Sequence, residues 1–347
     1  MSAMTLSDYL KTQAGTDPVR RDVARLVESL AEAAIELHHA IASGAADREG
    51  SGGAAVTNGG GDVQKVLDRE ADRLFSEAAR RAPVAFYGSE EQDDAVALDA
   101  DAGLALAIDP LDGSSNIETN VSIGTIFSVL PVRAEHRADS ATVFRQPGRD
   151  QLAAGYFVYG PRLLLVLTVG EGTHAFGWDP ASNTFVHAAR MTIPERAKEF
   201  SINASNRRHW DEPVLSYVAA CEEGAQGPRG RDFNMRWVAS MVADAYRIFL
   251  RGGIYIYPGD RRPGYAEGRI RLVYEANPVG FCAEQAGGAA SDGLQPILDI
   301  VPTHLHQRTP VVFGSREEVV EFGRAVADPA SRAETSSLYG HRPVGGF

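Results

Sequence analysis

Two cysteines in 347 residues, Cys221 and Cys282, are too few and too far apart to build a disulfide scaffold or a thiolate metal site. That usage suits a reducing compartment. Long apolar runs are also missing: the longest, "LLLVLTVG" from Leu163, falls well short of the roughly 20 residues that span a bilayer. The opening "MSAMTLSDYLKTQAG" lacks the charged, apolar and small-residue zones of a secretory signal. Basic residues are outnumbered, 34 against 46 acidic ones, and the net charge of -12 argues against general affinity for nucleic acid or an anionic membrane surface. The expectation is a soluble cytoplasmic protein. A small anionic substrate stays open, because a few arginines make a positive pocket on an acidic chain.

What is present reads as α/β. Asp17 and Pro18 have the form of an N-cap and first helical position, and Val19, Val23, Leu26, Leu30, Leu37 and Ile41 follow at helical spacing. The helix gives way to "SGAADREGSGGAAVTNGGGD", glycine-rich enough to predict a mobile flap over Ser51 to Gly61. A second helix from Leu67 carries Ala71, Leu74, Phe75 and Ala78 on one face. The stretches "VAFYG", "LALAID" and "GTIFSVLPV" read as strands, and 153–188 as several adjacent ones. Further on, the pattern predicts a helix from Pro213, a long helix over "RWVASMVADAYRIFLRG", strands "GIYIYP" and "RIRLVYE", a helix opened by Pro278, a strand "VVFGS" and a last helix. The subdomain boundary falls near "MTIPERAKEF", giving 1–195 and 196–347.

The densest chemistry lies in "IDPLDGSSNIE", 108–118. Proline suits the second position of a β-turn and aspartate the first, so the turn brings Asp109 and Asp112 to one small volume. Two like charges about 4 Å apart repel by roughly 4 kcal/mol at an effective dielectric near 20, and they demand a shared proton or a cation. Hard oxygen ligands suit Mg²⁺ or Mn²⁺. Gly113 lets backbone amides approach a ligand, and Ser114, Ser115 and Asn116 can cap a following helical turn that receives phosphate. Surface loops use the same residues, so the accompaniment carries weight: Glu90 and Glu91 end one strand, Asp62 and Asp68 bracket a helix start, and Glu284 lies in a later helix. "RIRLVY" also sets Arg269 and Arg271 two apart, on one face of a strand, where guanidinium forks grip phosphate.

In order along 18–325, "GDVQKVLD", "YGSEEQ", "DPLDGSSN" with "VSIGTIFSV", "SMVAD", "YEANP" with "AEQAGG" and "PTHLHQRTPVVFGS" resemble class I fructose-1,6-bisphosphatase. The resemblance implies a layered α-β-α-β-α sandwich of two subdomains, the first with the flap and most metal ligands and the second binding sugar phosphate. It implies Mg²⁺-dependent hydrolysis of the 1-phosphate of fructose 1,6-bisphosphate to fructose 6-phosphate, with roughly two or three cations, Mg²⁺ or Mn²⁺, per subunit. Glu90, Asp109, Asp112, Glu284 and the Leu111 carbonyl would hold them. Glu91 and Asp68 would take the proton of the attacking water, and Asp62 would join from the flap.

The substrate, by the same resemblance, would meet Asp112, Gly113, Ser114, Ser115, Asn203, Tyr257, Arg269 and Arg271, with Arg236 lent across a subunit interface of a homo-oligomer, expected to be a tetramer. Trp237 and Asn206 stand where the family shows tyrosines, and Arg269 where it shows lysine. Sedoheptulose 1,7-bisphosphate is the second substrate reading; an inositol-phosphatase-like enzyme and a non-catalytic sugar-phosphate sensor are the others. The pathway, gluconeogenesis or carbon fixation, is left open by the residues.

Overall fold

The structure, a computed structural model, describes residues 4–44, 56–57, 63–64, 66–137 and 140–327. The first helices form where capping and periodicity place them. Thr5 caps α1 (Leu6–Ala14) through a reciprocal bond with Asp8. Asp17 caps α2 (Pro18–Ser43), its Oδ1 accepting from the N–H groups of Val19 at 2.8 Å and Arg20 at 3.1 Å. The buried stripe of α2 begins at Val23 rather than Val19, which faces solvent on the first turn. A short backbone pair, β1 (Val56–Thr57) with β2 (Val63–Gln64), precedes α3 (Val66–Arg80). The rest of the flap, and Asp62, lie outside the described residues.

Eight strands form the larger sheet: β3 (Val84–Ser89), β4 (Val96–Ala97), β5 (Leu104–Asp112), β6 (Ile123–Pro131), β7 (Ala153–Tyr159), β8 (Leu163–Thr168), β9 (Thr173–Asp179) and β10 (Thr184–Met191). Their order is β10-β9-β8-β7-β6-β5-β3-β4, antiparallel except for the parallel pair β3 and β5. The second sheet runs β12-β11-β13-β17-β15, from β11 (Glu199–Ser201), β12 (Asn234–Met235), β13 (Ile254–Tyr257), β15 (Ala289–Ser291) and β17 (Val311–Gly314). A two-residue pair, β14 (Ile270–Arg271) with β16 (Arg308–Thr309), stands apart from both sheets. The remaining long helices are α4 (Glu212–Glu222), α5 (Met241–Arg251), α6 (Asn277–Gln285) and α7 (Arg316–Ala327).

Side-chain alternation decides the layering, because successive residues of a strand point to opposite faces. Ala153, Phe157 and Tyr159 of β7 pack with α1, α2 and α3, whereas Ala154, Tyr156 and Val158 pack with α5 and α6. Likewise Tyr255 of β13 joins α5 and α6, while Ile254 and Ile256 join α4 and α7. The layers are therefore α-β-α-β-α, as the resemblance implied. Fully buried Leu or Phe side chains such as Leu26, Phe75 and Phe249 contribute about 1.5–3 kcal/mol each. No helix among the described residues is long and apolar enough to cross a membrane.

Two expected elements differ. The helix predicted over "RWVASMVADAYRIFLRG" begins only at Met241, because 236–239 form neither helix nor strand and Ala239 takes a left-handed φ of +63°. The strand predicted over "RIRLVYE" ends at Arg271; Leu272–Ala276 wind as a π-helix straight into α6. Such wide turns recur at functional sites.

One glycine ties sheet packing to the region of the aspartates. A Cβ at Gly124, opposite Asp112 in the β5–β6 register, would lie 2.3 Å from the Phe157 carbonyl and 2.4 Å from Val242. Gly124→Ala should cost about 1–3 kcal/mol or more in a thermal or urea melt. Gly103→Ala, with nothing within 4 Å of the added carbon, should be near neutral.

Candidate active site

Asp109 and Asp112 are brought together by a strand irregularity, which replaces the expected β-turn. Both belong to β5, buried along its whole length. Asp109 pairs with Ile126 and Asp112 with Gly124, so three steps on β5 face two on β6. Residues three apart on a regular strand point to opposite faces; the extra residue of the bulge returns Asp112 to the face of Asp109. Pro110, which has no N–H for the ladder, occupies the bulge, and its carbonyl accepts from Thr125 Oγ1 at 2.8 Å. The Leu111 N–H donates back to Asp109 Oδ1 at 2.9 Å.

The third carboxylate is Glu275, not the expected Glu284. Ligand oxygens of Asp109, Asp112 and Glu275 all lie within 4.8 Å of one another, and all three residues are buried. Glu284, on α6, accepts from Arg149 Nη1 at 3.1 Å instead. The physical reason is the π-helical segment, which ends at the start of α6 and directs Glu275 inward four residues after Arg271. The "YEANP" motif carried that signal, and reading its glutamate instead of the one in "AEQAGG" would have found it.

Glu90 follows the end of β3, its N–H bonded to the Ile108 carbonyl at 3.1 Å, so it sits beside Asp109. Arg271, almost wholly buried, pairs with Glu90 at 3.5 Å. Its own N–H donates to Glu275 and its Nη1 to the Arg269 carbonyl at 2.8 Å. Arg269, half-buried, donates to Tyr265 Oη at 2.8 Å. The two arginines therefore divide their work: one is held against the carboxylates, the other against a tyrosine.

Asp112 is held from the opposite side. Its Oδ2 accepts from the Val242 N–H at 3.0 Å and from Ser240 Oγ at 3.2 Å. Gly113, at φ +75°, makes the turn beside this contact, where a Cβ would stand 3.1 Å from that of Ser240. Ser114–Asn116 form one 3-10 turn, and Asn116 Nδ2 donates to the Ala239 carbonyl at 2.9 Å.

Two buried acids that sequence reading passed over fix these parts. Asp244 accepts from Ser201 Oγ at 2.9 Å and the Val238 N–H at 3.2 Å, holding the turn that carries Ser240. Asp72 accepts from Tyr87 Oη at 2.8 Å and Gln92 Nε2 at 2.6 Å, tying α3 to the segment of Glu90 and Glu91. An inward acid on a helix otherwise looks like any solvated one; "SMVAD" ends in Asp244 but did not mark its role, and Asp72 lies in none of the motifs. Asp68 is buried in the first turn of α3, and Glu91 is half-buried with its N–H on Ser89 Oγ at 3.2 Å.

Asn203 and Tyr257 share the wall of a small crevice with Asn206. Asn203 Oδ1 accepts from Ser205, and the Trp237 ring lies 6.1 Å from that of Tyr257. Arg236 is exposed, its Nη1 on the Met235 carbonyl at 3.0 Å.

Electrostatics reflect the crowding. Burial first, then Glu90, Glu275 and Asp112, hold the Asp109 carboxyl well above the usual carboxylate range. Burial, then Glu90, does the same for Glu275, with Arg271 opposing. Asp112 is pushed up to about 6 by burial, against hydrogen bonds from Val242 and Ser240. Three buried hard oxygen donors that resist ionisation together fit a divalent cation of the Mg²⁺ or Mn²⁺ type.

The N-terminal fructose-1,6-bisphosphatase domain model matches residues 4–190, and the C-terminal model matches 193–327. The chain belongs to the fructose-1,6-bisphosphatase family. It is 51% identical over 344 residues to a class 1 fructose-1,6-bisphosphatase of Rhizobium meliloti, covering 99% of both chains, and 53% identical over 321 residues to one of Azorhizobium caulinodans, covering 92% of this chain and 98% of the relative. Among solved structures, Leishmania major fructose-1,6-bisphosphatase in holo form superposes with a TM-score of 0.86 at 32% identity, over 94% of this chain and 100% of that one.

Two outcomes are expected for this fructose-1,6-bisphosphatase site. Glu275→Gln should weaken Mn²⁺ binding, measured by calorimetry, by at least about tenfold, whereas Glu284→Gln should change it little. In chelator the folded state binds more protons than the unfolded chain between the ordinary Asp value of 3.8 and about 6 at Asp112. Stability should therefore fall as pH rises through that window, and the raised Asp109 and Glu275 carboxyls continue the fall above it. Asp112→Asn should flatten the slope in melts between about pH 4 and about pH 6.

Proposed function

We propose that the chain hydrolyses the 1-phosphate of fructose 1,6-bisphosphate to fructose 6-phosphate and phosphate, in a reaction that depends on divalent cations. As a member of its family it is a phosphoric monoester hydrolase acting on a sugar bisphosphate. The observation that carries the cation dependence is the buried triad Asp109, Asp112 and Glu275. Mutual repulsion of about 4 kcal/mol per close pair leaves such a triad protonated or cation-bound near neutral pH.

The residues that would hold Mg²⁺ or Mn²⁺ are Asp109, Asp112, Glu275, Glu90 and the Leu111 carbonyl. When bound, the cations polarise the phosphoryl oxygens, activate water and offset charge on the leaving oxygen. Glu91, Asp68 and Asp62 are assigned to accepting the proton of the attacking water. Arg271, fixed by Glu90 and Glu275, meets the 1-phosphate beside the carboxylates. Asn203, Tyr257 and Arg269 hold the 6-phosphate. Their support is the crevice shared by Asn203 and Tyr257, and the Arg269 charge that acts on the Tyr257 hydroxyl. Gly113, Ser114 and Ser115 position the phosphoryl group from the adjoining turn.

Arg236 is assigned to a neighbouring subunit's pocket in a homotetramer, which its exposure permits. The division into 1–195 and 196–347, with catalysis between the two parts, and a cytoplasmic location complete the proposal.

Phosphate release from fructose 1,6-bisphosphate should require added Mg²⁺ and should exceed release from sedoheptulose 1,7-bisphosphate at equal concentration. Asp112→Ala should lose several orders of magnitude in kcat while keeping its circular dichroism spectrum. Undiminished activity in that variant, or in chelator, would refute the cation assignment.

A further inference from the structure

A second charged feature lies away from the carboxylate site. A cleft of about 620 Å³, lined by α7 from Arg316 to Arg324, the segment 228–231 and Arg196, gathers five arginines: Arg196, Arg229, Arg231, Arg316 and Arg324. In a chain of net charge -12 this is an unusual concentration of guanidinium. We propose that this cleft binds a small phosphate-bearing polyanion.

Its inner wall is preorganised by one wholly buried carboxylate. Glu318 accepts from Tyr217 Oη at 2.7 Å and from both Arg229 and Arg231. The Arg229 guanidinium also lies 5.2 Å from the Tyr217 ring centre and 4.8 Å from that of Phe233, and Arg231 lies 5.1 Å from the latter. Two cations are thus fixed against one anion. A ligand meeting them does not have to order two long side chains first.

The outer wall is exchangeable. Arg196 pairs with Glu317 at 2.8 Å and Arg324 with Glu321 at 3.3 Å, both as solvent-exposed pairs. Such pairs contribute about 0–1 kcal/mol, so a phosphate with more charge in the same place displaces the glutamates cheaply. Arg316 opens α7 with no ion pair or side-chain hydrogen bond among the described residues. Arg231 Nε is buried and has no hydrogen-bond partner among them either. Five guanidinium groups face three carboxylates, Glu317, Glu318 and Glu321, and leave the cleft with two positive charges in excess. The volume, within the range of about 300–1,000 Å³ typical of small-molecule sites, has room for a compact ligand. Planar forks around a concave space suit the several oxygens of phosphate groups.

The test uses the full chain without metal, so that the carboxylate site offers no cation for phosphate. Inorganic pyrophosphate is titrated by calorimetry at low ionic strength into the wild type and into Arg316→Glu, with sodium chloride matched in ionic strength as control. Binding to the wild type is expected, weakened at least about tenfold by the substitution and absent with chloride. Hydrogen exchange over 316–324 and 228–231 should slow in the wild type only. Arg316→Glu should leave Mg²⁺-dependent phosphate release from the sugar bisphosphate unchanged when pyrophosphate is absent, so this proposal and the cation-site reading fail separately. Pyrophosphate binding equally to both forms, binding neither at millimolar concentration, or protecting 109–116 in place of 316–324 would overturn it.

Discussion

Burying three carboxylates within reach of one another is the constraint around which the described structure is arranged. Ionised acids in a dry interior are unstable without a partner, and protonated ones would be useless for holding a cation. The fold answers with fixed dipoles and one buried guanidinium. Asp112 receives N–H and hydroxyl donors from the start of α5, Asp109 receives one from its own bulge, and Glu275 receives the backbone N–H of Arg271. These contacts orient the oxygens without neutralising them, a balance that a divalent cation would complete.

The side chains of the site arrive on three kinds of backbone irregularity. Asp109 and Asp112 share a β-bulge, Glu275 sits on a π-helical segment, and Ser240 follows a left-handed alanine. Regular elements would scatter these side chains over opposite faces. Buried ties such as Asp244 to Ser201 and Asp72 to Tyr87 hold the irregular segments from behind. Strained segments of this kind persist only where neighbouring contacts over-determine them.

The two charged features use opposite logic. At the catalytic candidate, acids outnumber the single buried arginine and call for a cation. At the α7 cleft, one buried acid organises two arginines and leaves positive charge in excess. In both places a buried counter-charge sets geometry rather than adding stability, because desolvation consumes most of the Coulombic gain.

Much of this was legible in the residues. Periodicity and capping placed α2, most strands of the larger sheet and the last helix, and "DPLDGSSN" with its upstream glutamates marked the chemistry. The layer order came from resemblance, since alternation along one strand does not say which helix covers which face. What spacing alone could not supply was the choice between two candidate glutamates, and the means of convergence. Glu275 and Glu284 are both acids near the same helix, and spacing does not distinguish them. Only the π-helical turn, stabilised by packing between the two sheets, sends one inward and leaves the other to Arg149. Side-chain type is fixed by the sequence, but direction depends on backbone irregularities that long-range packing selects, and at this site direction is what separates a member of the buried carboxylate cluster from a surface ion pair.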